Sequence, residues 1–505
     1  RLTRIARSVR LELRWQQERV GHPLRSVLPS ALENELEIID NKALLLRVRN
    51  PQQITTVIPK SRELPNNQVL VHWGLEEARV LKNLRVKNVP SPIMGRYDWP
   101  GQYRPFDHQK TTSAFLTMNR RAFCLNEQGT GKTGSVIWAA DYLLKQKRIR
   151  RVLVICPLSI MDSAWRADLF KFAMHRSVDI AYGAKDKRKA IINGTSEFVI
   201  INYDGVEIVA EDIAKGGFDL IVIDEANAYN PSGVPKYFTS YRDQVMLKLT
   251  AFKWIAKETA TQTVYDALQP AIRFTKDECL DLPEMTYTKR RVELTKQQER
   301  YYGMLKSRMV IQAAGEEITS VNAAVNMSKL LQISCGAVYS DSGETLEFDI
   351  KNRYNVLTEV IDESSQKVLV FVPFKHVIRL LHEKLNADGY TAEVISGDVP
   401  VHKRTDIFNR FQTEPNGTKV LVIQPQSAAH GVTLTAANTV VWWGPTSSLE
   451  TYAQANARVH RSGQRHPSTV VQLVGSGVER HVYNLLDNKI DVHSKIVDLY
   501  KEILE

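Results

Sequence analysis

The chain has 505 residues, 43% of them hydrophobic and 24% charged, which gives room for several cores and excludes a disordered or fibrous protein. Lysine and arginine outnumber aspartate and glutamate by 67 to 56, for a net charge of +11, a balance that suits either a polyanionic partner or a simply solvated basic surface. Its four cysteines, Cys124, Cys156, Cys279 and Cys335, stand far apart with no CxxC pair, so neither a zinc ribbon nor a disulfide framework is indicated and a reducing compartment fits.

The first residues, Arg1 to Arg19, are basic but lack the apolar core and small cleavage residues of a secretory signal. Apolar runs such as Val152 to Cys156 fall well short of the roughly 18 residues of a membrane span. A soluble, cytoplasmic protein is expected, and a first residue that is Arg and not Met suggests that the true start lies upstream. Arg1, Arg4, Arg7 and Arg10 have helical spacing, whereas Val9, Leu11, Leu13 and Trp15 alternate as in a strand. With strands expected at Ala43–Val48 and Val69–Trp73, residues 1–100 read as a small basic accessory domain containing β structure.

Two later stretches alternate β-branched runs with helical segments, the pattern of parallel sheets covered by crossover helices. The first predicts strands at Ala122–Asn126, Arg151–Cys156, Phe198–Asn202 and Leu220–Asp224. The second predicts strands at Lys367–Val372, Thr391–Ile395, Lys419–Ile423, Thr439–Trp443 and Thr469–Val474, with helices at Lys375–Ala387, His402–Gln412 and Leu449–Val459. Between them Gln297 to Gln332 is polar and helix-favouring, with an apolar stripe of Tyr301, Leu305, Met309, Val325 and Leu330, and reads as a helical protrusion rooted on the second lobe. The expectation is an α/β protein of two tandem doubly wound parallel-sheet lobes. Lobe one spans 101–285, the linker and protrusion 286–350, and lobe two 351–505.

The first strand of lobe one runs into Asn126-Glu127-Gln128-Gly129-Thr130-Gly131-Lys132-Thr133, and an apolar helix follows. Glycines let backbone N–H groups face phosphates, and a helix N-terminus adds its positive dipole end. Gly129, Thr130 and Gly131 would cradle the phosphates, Lys132 would reach the β and γ groups, and Thr133 would hold Mg²⁺. Asn126 stands where the strict phosphate loop has its first glycine, so a chance glycine turn is the competing reading. A later apolar strand ends in Asp224-Glu225-Ala226-Asn227. That is where parallel sheets collect ligands, with Asp224 on Mg²⁺ through water and Glu225 on the attacking water.

The second lobe carries Gln454-Ala455-Asn456-Ala457-Arg458-Val459-His460-Arg461-Ser462-Gly463-Gln464. Here the chain closely resembles Swi/Snf-type ATPases of helicase superfamily two, whose sixth motif reads QAxxRxHRxGQ. The resemblance implies two RecA-like lobes, ATP and Mg²⁺ as cofactors, and DNA, double-stranded or branched, as partner. It also implies a catalytic set of Glu225, Gln454, Arg458 and Arg461, the arginines lying three apart on one face of a helix end and acting as fingers toward the γ phosphate. The segment Arg104 to Gln109 resembles the element whose glutamine, Gln109, reads adenine. Cys156 to Ser159 and Asn202 to Asp204 resemble nucleic-acid segments of lobe one; Asp281 to Tyr302 resembles the lead into lobe two. Gly397-Asp398 with Arg404 and Phe411, and Gln426 to Ala437, resemble the fourth and fifth motifs. The chain departs from the pattern at Asn227, where DEAH has His, and at Ala428 and Ala429, where glycines are usual. No threonine-rich motif III follows, because Tyr229-Asn230-Pro231-Ser232-Gly233 turns almost at once. A helix and strand of roughly a few tens of residues are therefore expected between Tyr229 and Pro231 in the natural polypeptide.

The expected activity is a DNA-stimulated ATPase that translocates on duplex DNA, in a phage or bacterial setting of repair, recombination or fork and branch remodelling. A strand-separating DNA or RNA helicase, or a DNA-binding scaffold with a dead ATPase, are the alternatives. Trp442-Trp443 imitates a base-stacking platform, but its strand position assigns it to the core.

Overall fold

The computed structural model describes residues 36–224, 238–249, 254–315, 320–339, 345–427 and 432–490, together with 492, 495, 499–500 and 503. The chain divides into two compact units that meet between Cys279 and Leu280.

The first unit begins with an antiparallel sheet of order β1-β2-β4-β3: β1 (Leu36–Ile39), β2 (Ala43–Arg47), β3 (Ser61–Leu64) and β4 (Gln68–His72). Alternation on the two middle strands sends Leu44, Leu46, Val69 and Val71 to one face. There they pack with Ile54, Trp73 and Leu81, so the helices Pro51–Val57 and Leu75–Asn83 cover that face. Arg1 to Trp15, with its two competing periodicities, lies outside the described residues.

Next come β5 (Phe123–Cys124), β6 (Val152–Cys156), β7 (Val178–Ile180), β8 (Phe198–Asn202) and β9 (Leu220–Ile223). β7 to β8, β8 to β6 and β6 to β9 are all parallel pairs. The sheet is buried on both faces, as crossover helices require. Val152, Val154, Phe198 and Ile200 pack with Ile137, Trp165 and Leu169 on one side. Leu153, Ile155, Val199 and Ile201 pack with Ile192, Val206 and Ile213 on the other. β7 escapes the sequence pattern because it is three residues long with Asp179 at its centre.

The second unit holds a six-stranded, all-parallel sheet of order β13-β20-β19-β16-β18-β17. Its strands are β13 (Met285–Arg291), β16 (Lys367–Phe371), β17 (Ala392–Ile395), β18 (Val420–Ile423), β19 (Ala437–Trp442) and β20 (Ser468–Val474), while β14 (Ala337–Tyr339) and β15 (Thr345–Glu347) form a separate hairpin. Trp442 and Trp443 are both 0% exposed and enter opposite cores of this sheet; they are core residues and offer no stacking surface. The expected protrusion is a pair of helices, Lys296–Gly315 and Ser320–Cys335, whose Met309, Met327 and Leu330 join the core beneath the sheet. Val325, expected in the apolar stripe, faces outward at 50% exposure. Beside them a buried ion pair, Arg353 Nη2 to Glu479 at 2.8 Å, fastens the helix Lys351–Glu363 to the helix Gly477–Asp487. Each unit thus holds a parallel sheet packed with helices on both faces, the doubly wound pattern expected from the sequence.

The lobe-one sheet is split. β12 (Ala271–Ile272) pairs in parallel with β5, while β9 ends the four-stranded sheet, and β10 (Met246–Lys248) and β11 (Trp254–Ala256) form their own hairpin. Leu220 to Ile223 is an all-apolar strand, of a type found between two neighbours, yet Ile223 at its end is 37% exposed and Leu125 beside β5 is 41% exposed. Burial, and to a lesser extent the charge of Asp224 after β9, push up the Cys124 thiol of β5. The junction Tyr229–Pro231, where a segment is expected to be missing, lies outside the described residues. The thirteen residues 225–237 that follow β9 and precede the helix Phe238–Val245 are too few for a crossover of about a dozen residues plus a strand. Peptide mapping of the natural protein is the check. The tryptic peptide Gly216–Lys236 is expected to be absent and replaced by longer ones, and its detection would establish that the sheet is split in nature.

Candidate active site

The phosphate loop is shaped by backbone needs that only glycine meets cheaply. Gly129 has φ 85° and Gly131 φ 79°, in the left-handed region, and a Cβ on Gly131 would overlap the Gln109 amide. Gly131 is the N-cap of the fourteen-residue helix Lys132–Lys145, so the helix dipole and its free N–H groups converge on the loop. Thr130 is buried and its hydroxyl donates to Glu127 O at 2.8 Å. Lys132 Nζ donates to Asn126 O at 2.9 Å, and Thr133 stands in the first helical turn, half-buried.

Gln109 lies on the helix Asp107–Met118, 7% exposed. Its Oε1 accepts from Phe106 N at 2.9 Å, and its Nε2 donates to Thr130 O at 3.3 Å. It thus caps its own helix and braces the phosphate loop, and reading adenine would require it to exchange these partners. His108 Nε2 also meets Thr130 O, at 2.8 Å.

Asp224 follows β9, its backbone N–H donating to Ile155 O at 2.9 Å. Trp165 Nε1 donates to its Oδ2 at 2.8 Å, and the Tyr203 hydroxyl donates to its carbonyl at 2.5 Å. Neither was legible as a partner of Asp224, since Trp165 sits in a helical segment and Tyr203 in the segment after β8 expected to face nucleic acid, both far from Asp224 in sequence. The Cys124 thiol is held up chiefly by burial, with Lys132 lowering its pKa and Asp224 raising it. Burial and Asp224 also push up the Cys156 thiol, which makes both thiols poor nucleophiles. Thr133 and Asp224 offer hard oxygen donors that suit a Mg²⁺ keeping several waters. Glu225 lies outside the described residues.

In the second unit the helix Leu449–Asn456 ends before the arginines, so Arg458 and Arg461 occupy the turn beyond it and not a helix face. They converge nonetheless on one acceptor: Arg458 Nη1 reaches Val432 O at 3.4 Å and Arg461 Nη1 reaches it at 3.0 Å. Arg458 is buried and Arg461 half-buried. Gln454 is buried, with Nε2 on Glu450 Oε1 at 3.0 Å. Gln464, quoted above only as part of a motif, is a staple. Its Nε2 donates to Ala437 O at 2.9 Å and Val459 O at 3.2 Å, while its Oε1 accepts from the N–H groups of Arg465 and His466. Ala428 and Ala429 lie outside the described residues.

Two segments expected to face nucleic acid are partly occupied internally. Asn202 is buried against Arg188 Nη1 at 2.9 Å, and Arg404 secures its own loop through Val399 O at 2.6 Å and Gly397 O at 3.0 Å. Leu158 and Asp204, after β6 and β8, are exposed.

Residues 102–253 match the family of the type III restriction enzyme res subunit, and residues 352–463 match the helicase conserved C-terminal domain. An uncharacterized ATP-dependent helicase of Mycoplasma genitalium is 23% identical over 415 residues, 73% of this chain and 40% of that one. The chromodomain-helicase-DNA-binding protein 1-like of Danio rerio is 22% identical over 452 residues, 78% and 44% of the two chains. The chain thus spans less than half the length of these curated relatives. Among solved structures, the Sulfolobus solfataricus SWI2/SNF2 ATPase core in complex with dsDNA aligns with 80% of this chain and 96% of its own, at 18% identity and a TM-score of 0.36. No helix among the described residues is long and apolar enough to cross a membrane.

The hold of Trp165 on Asp224 generates a test. Trp165→Phe keeps the packing and removes one hydrogen bond of about 1 kcal/mol. The Mg²⁺ concentration for half-maximal nucleotide hydrolysis should rise about fivefold, read from a Mg²⁺ titration at fixed ATP. An unchanged midpoint would show that Asp224 needs no such support.

Proposed function

Because the chain belongs to helicase superfamily two, among its Swi/Snf-type ATPases, we propose that it hydrolyses ATP with Mg²⁺ and uses the energy to translocate on double-stranded or branched DNA. The observation that carries this reading is a glycine-built loop at a helix N-terminus, with Lys132 donating to Asn126 O within it and Asp224 following a parallel strand of the same unit. A scaffold with no chemistry to perform has no use for that arrangement.

In this reading Lys132 neutralises phosphate charge in the bound nucleotide, and Thr133 and Asp224 hold Mg²⁺, which supplies charge neutralisation across the phosphates. Glu225 orients the attacking water. Arg458 and Arg461, of which Arg461 is the more accessible, supply the cation that the transition state needs, and Gln454 belongs to the same catalytic set. Arg458 and Arg461 share the Val432 carbonyl, so the arginines and the segment that resembles motif V move as one piece. That gives a physical link between the nucleotide and a DNA-facing loop. The net charge of +11 suits a phosphate track. Repair, recombination or remodelling of forks and branches are the settings such an activity serves.

Catalytic variants separate the roles. Lys132→Ala should weaken nucleotide binding, whereas Glu225→Gln and Arg461→Ala should leave binding within about threefold and remove hydrolysis, because they act on the transition state. Fluorescent-nucleotide binding and steady-state ATPase assays read the two effects separately, and turnover above background in Arg461→Ala would remove the finger assignment.

The track is tested by ATPase rates without nucleic acid and with single-stranded, duplex and forked DNA and RNA. Duplex or forked DNA should stimulate most. Binding should be nearly independent of sequence and fall with salt at a slope of roughly 0.9 per phosphate neutralised. Displacement of a triplex-forming third strand should exceed unwinding of plain duplex. Efficient unwinding of tailed duplexes with no triplex displacement would favour the strand-separating helicase.

A further inference from the structure

Asn126 occupies the place where a strict phosphate loop has glycine, and the structure gives the side chain there a use that glycine could not supply. It is 4% exposed. Its Nδ2 donates to Thr112 Oγ1 at 2.9 Å, on the helix that carries Gln109. Its Oδ1 accepts from Phe274 N at 3.0 Å, two residues beyond β12. One short amide therefore bridges the adenine-side helix, the phosphate loop and the segment that runs on to the end of the first unit.

The bridge is reinforced on both sides. Thr112 Oγ1 itself donates to His108 O at 2.7 Å, so as a donor it is already used and it meets Asn126 as an acceptor. Glu127 N donates to Phe274 O at 2.9 Å, and Glu127 Oε2 accepts from Lys276 N at 2.9 Å. His108 packs edge-on against Phe274, ring centroids 5.9 Å apart. A buried amide whose two ends are both matched is costly to truncate, because each lost partner leaves a desolvated polar group behind.

The backbone of the same residue holds the loop lysine. Lys132 Nζ donates to Asn126 O at 2.9 Å. Phosphate oxygens are stronger acceptors for an ammonium than a carbonyl, so an arriving nucleotide draws Lys132 away from Asn126. Side chain and carbonyl of one residue thus meet the helix of Gln109, the ammonium of Lys132 and the strand segment at Phe274.

We infer that Asn126 is a positioning residue for the nucleotide, setting the phosphate loop against the Gln109 helix through Thr112 and against residues 272–276 through Phe274, so that base and phosphates are gripped in register. This rests on the ATPase reading above. It explains why the departure from glycine is compatible with an intact phosphate site: the conformational freedom given up at Asn126 is exchanged for two buried hydrogen bonds, while Gly129 and Gly131 keep the positive φ values that the turn needs.

The experiment is equilibrium binding of Mg·ADP by calorimetry, with steady-state ATPase kinetics and thermal melts, for the parent chain, Asn126→Ala, Asn126→Gly, Thr112→Val and the Thr112→Val/Asn126→Ala double variant. Asn126→Ala and Asn126→Gly should weaken ADP binding about tenfold, the equivalent of two modest hydrogen bonds, and raise KM for ATP in proportion while kcat falls less than about threefold. Thr112→Val should weaken binding about threefold, and the double variant should be no worse than Asn126→Ala, because both act through one contact. ADP binding by Asn126→Gly within twofold of the parent, or additive losses in the double variant, would overturn the inference and leave the ATPase reading standing. A parent chain that binds no ADP would overturn both. If the Asn126 variants melt before assay temperature, Thr112→Val alone decides: parent-like binding in that variant removes the proposed contact.

Discussion

Parallel strands buried on both faces must all be reached by crossovers, and crossovers bring every strand's carboxyl end to one edge of the sheet. Several of the groups proposed to meet a nucleotide stand beside such an edge or are tied to a segment that leads into a strand. The phosphate loop follows β5, Asp224 follows β9, and in the second unit the turn carrying Arg458 and Arg461 is tied to the segment leading into β19. The apolar alternation that builds the two cores is therefore also what fixes where the chemistry sits.

Edges alone do not aim side chains, and here the aim comes from polar contacts with residues remote in sequence. Asp224 is held by Trp165 and Tyr203, Gln109 by Thr130, and Gln464 by the backbone of Ala437. Each is a buried or half-buried polar group with its partner supplied, as burial demands. The second unit shows the same logic at higher stakes. Arg353 and Glu479 are 3% and 0% exposed, and the carboxylate also takes the N–H groups of Gly475 and Ser476 at 2.7 and 2.9 Å. Removing one partner of such a pair commonly costs about 3–5 kcal/mol. The pair therefore commits the two helices it joins to one arrangement around β20.

The split sheet of the first unit is where local and global signals disagree. Leu220 to Ile223 has the composition of a central strand and the neighbours of an edge strand. Such a conflict is unusual in a chain whose other strands agree with their surroundings. Among the described residues it falls beside Asp224, the residue proposed to hold Mg²⁺.

The sequence by itself determined the two doubly wound lobes, because β-branched runs and helical periodicity are local properties. Phe198–Asn202 and the helix Lys375–Ala387 match their expected bounds residue for residue. It also pointed to Gly129 and Gly131 as the turn ahead of a helix, and both take positive φ there. Local pattern could not reveal β7, too short and too polar at its centre, or the end of the helix at Asn456, which places Arg458 and Arg461 in a turn. Nor could it reveal that Asn202 and Arg404 are engaged internally, or that Trp165 holds Asp224 and Asn126 joins Thr112 to Phe274. Those are contacts between residues separated by up to 148 positions. Only tertiary structure decides them, because a hydrogen bond depends on where two atoms arrive in space, and a sequence pattern records which face a residue takes but not which distant partner it meets there.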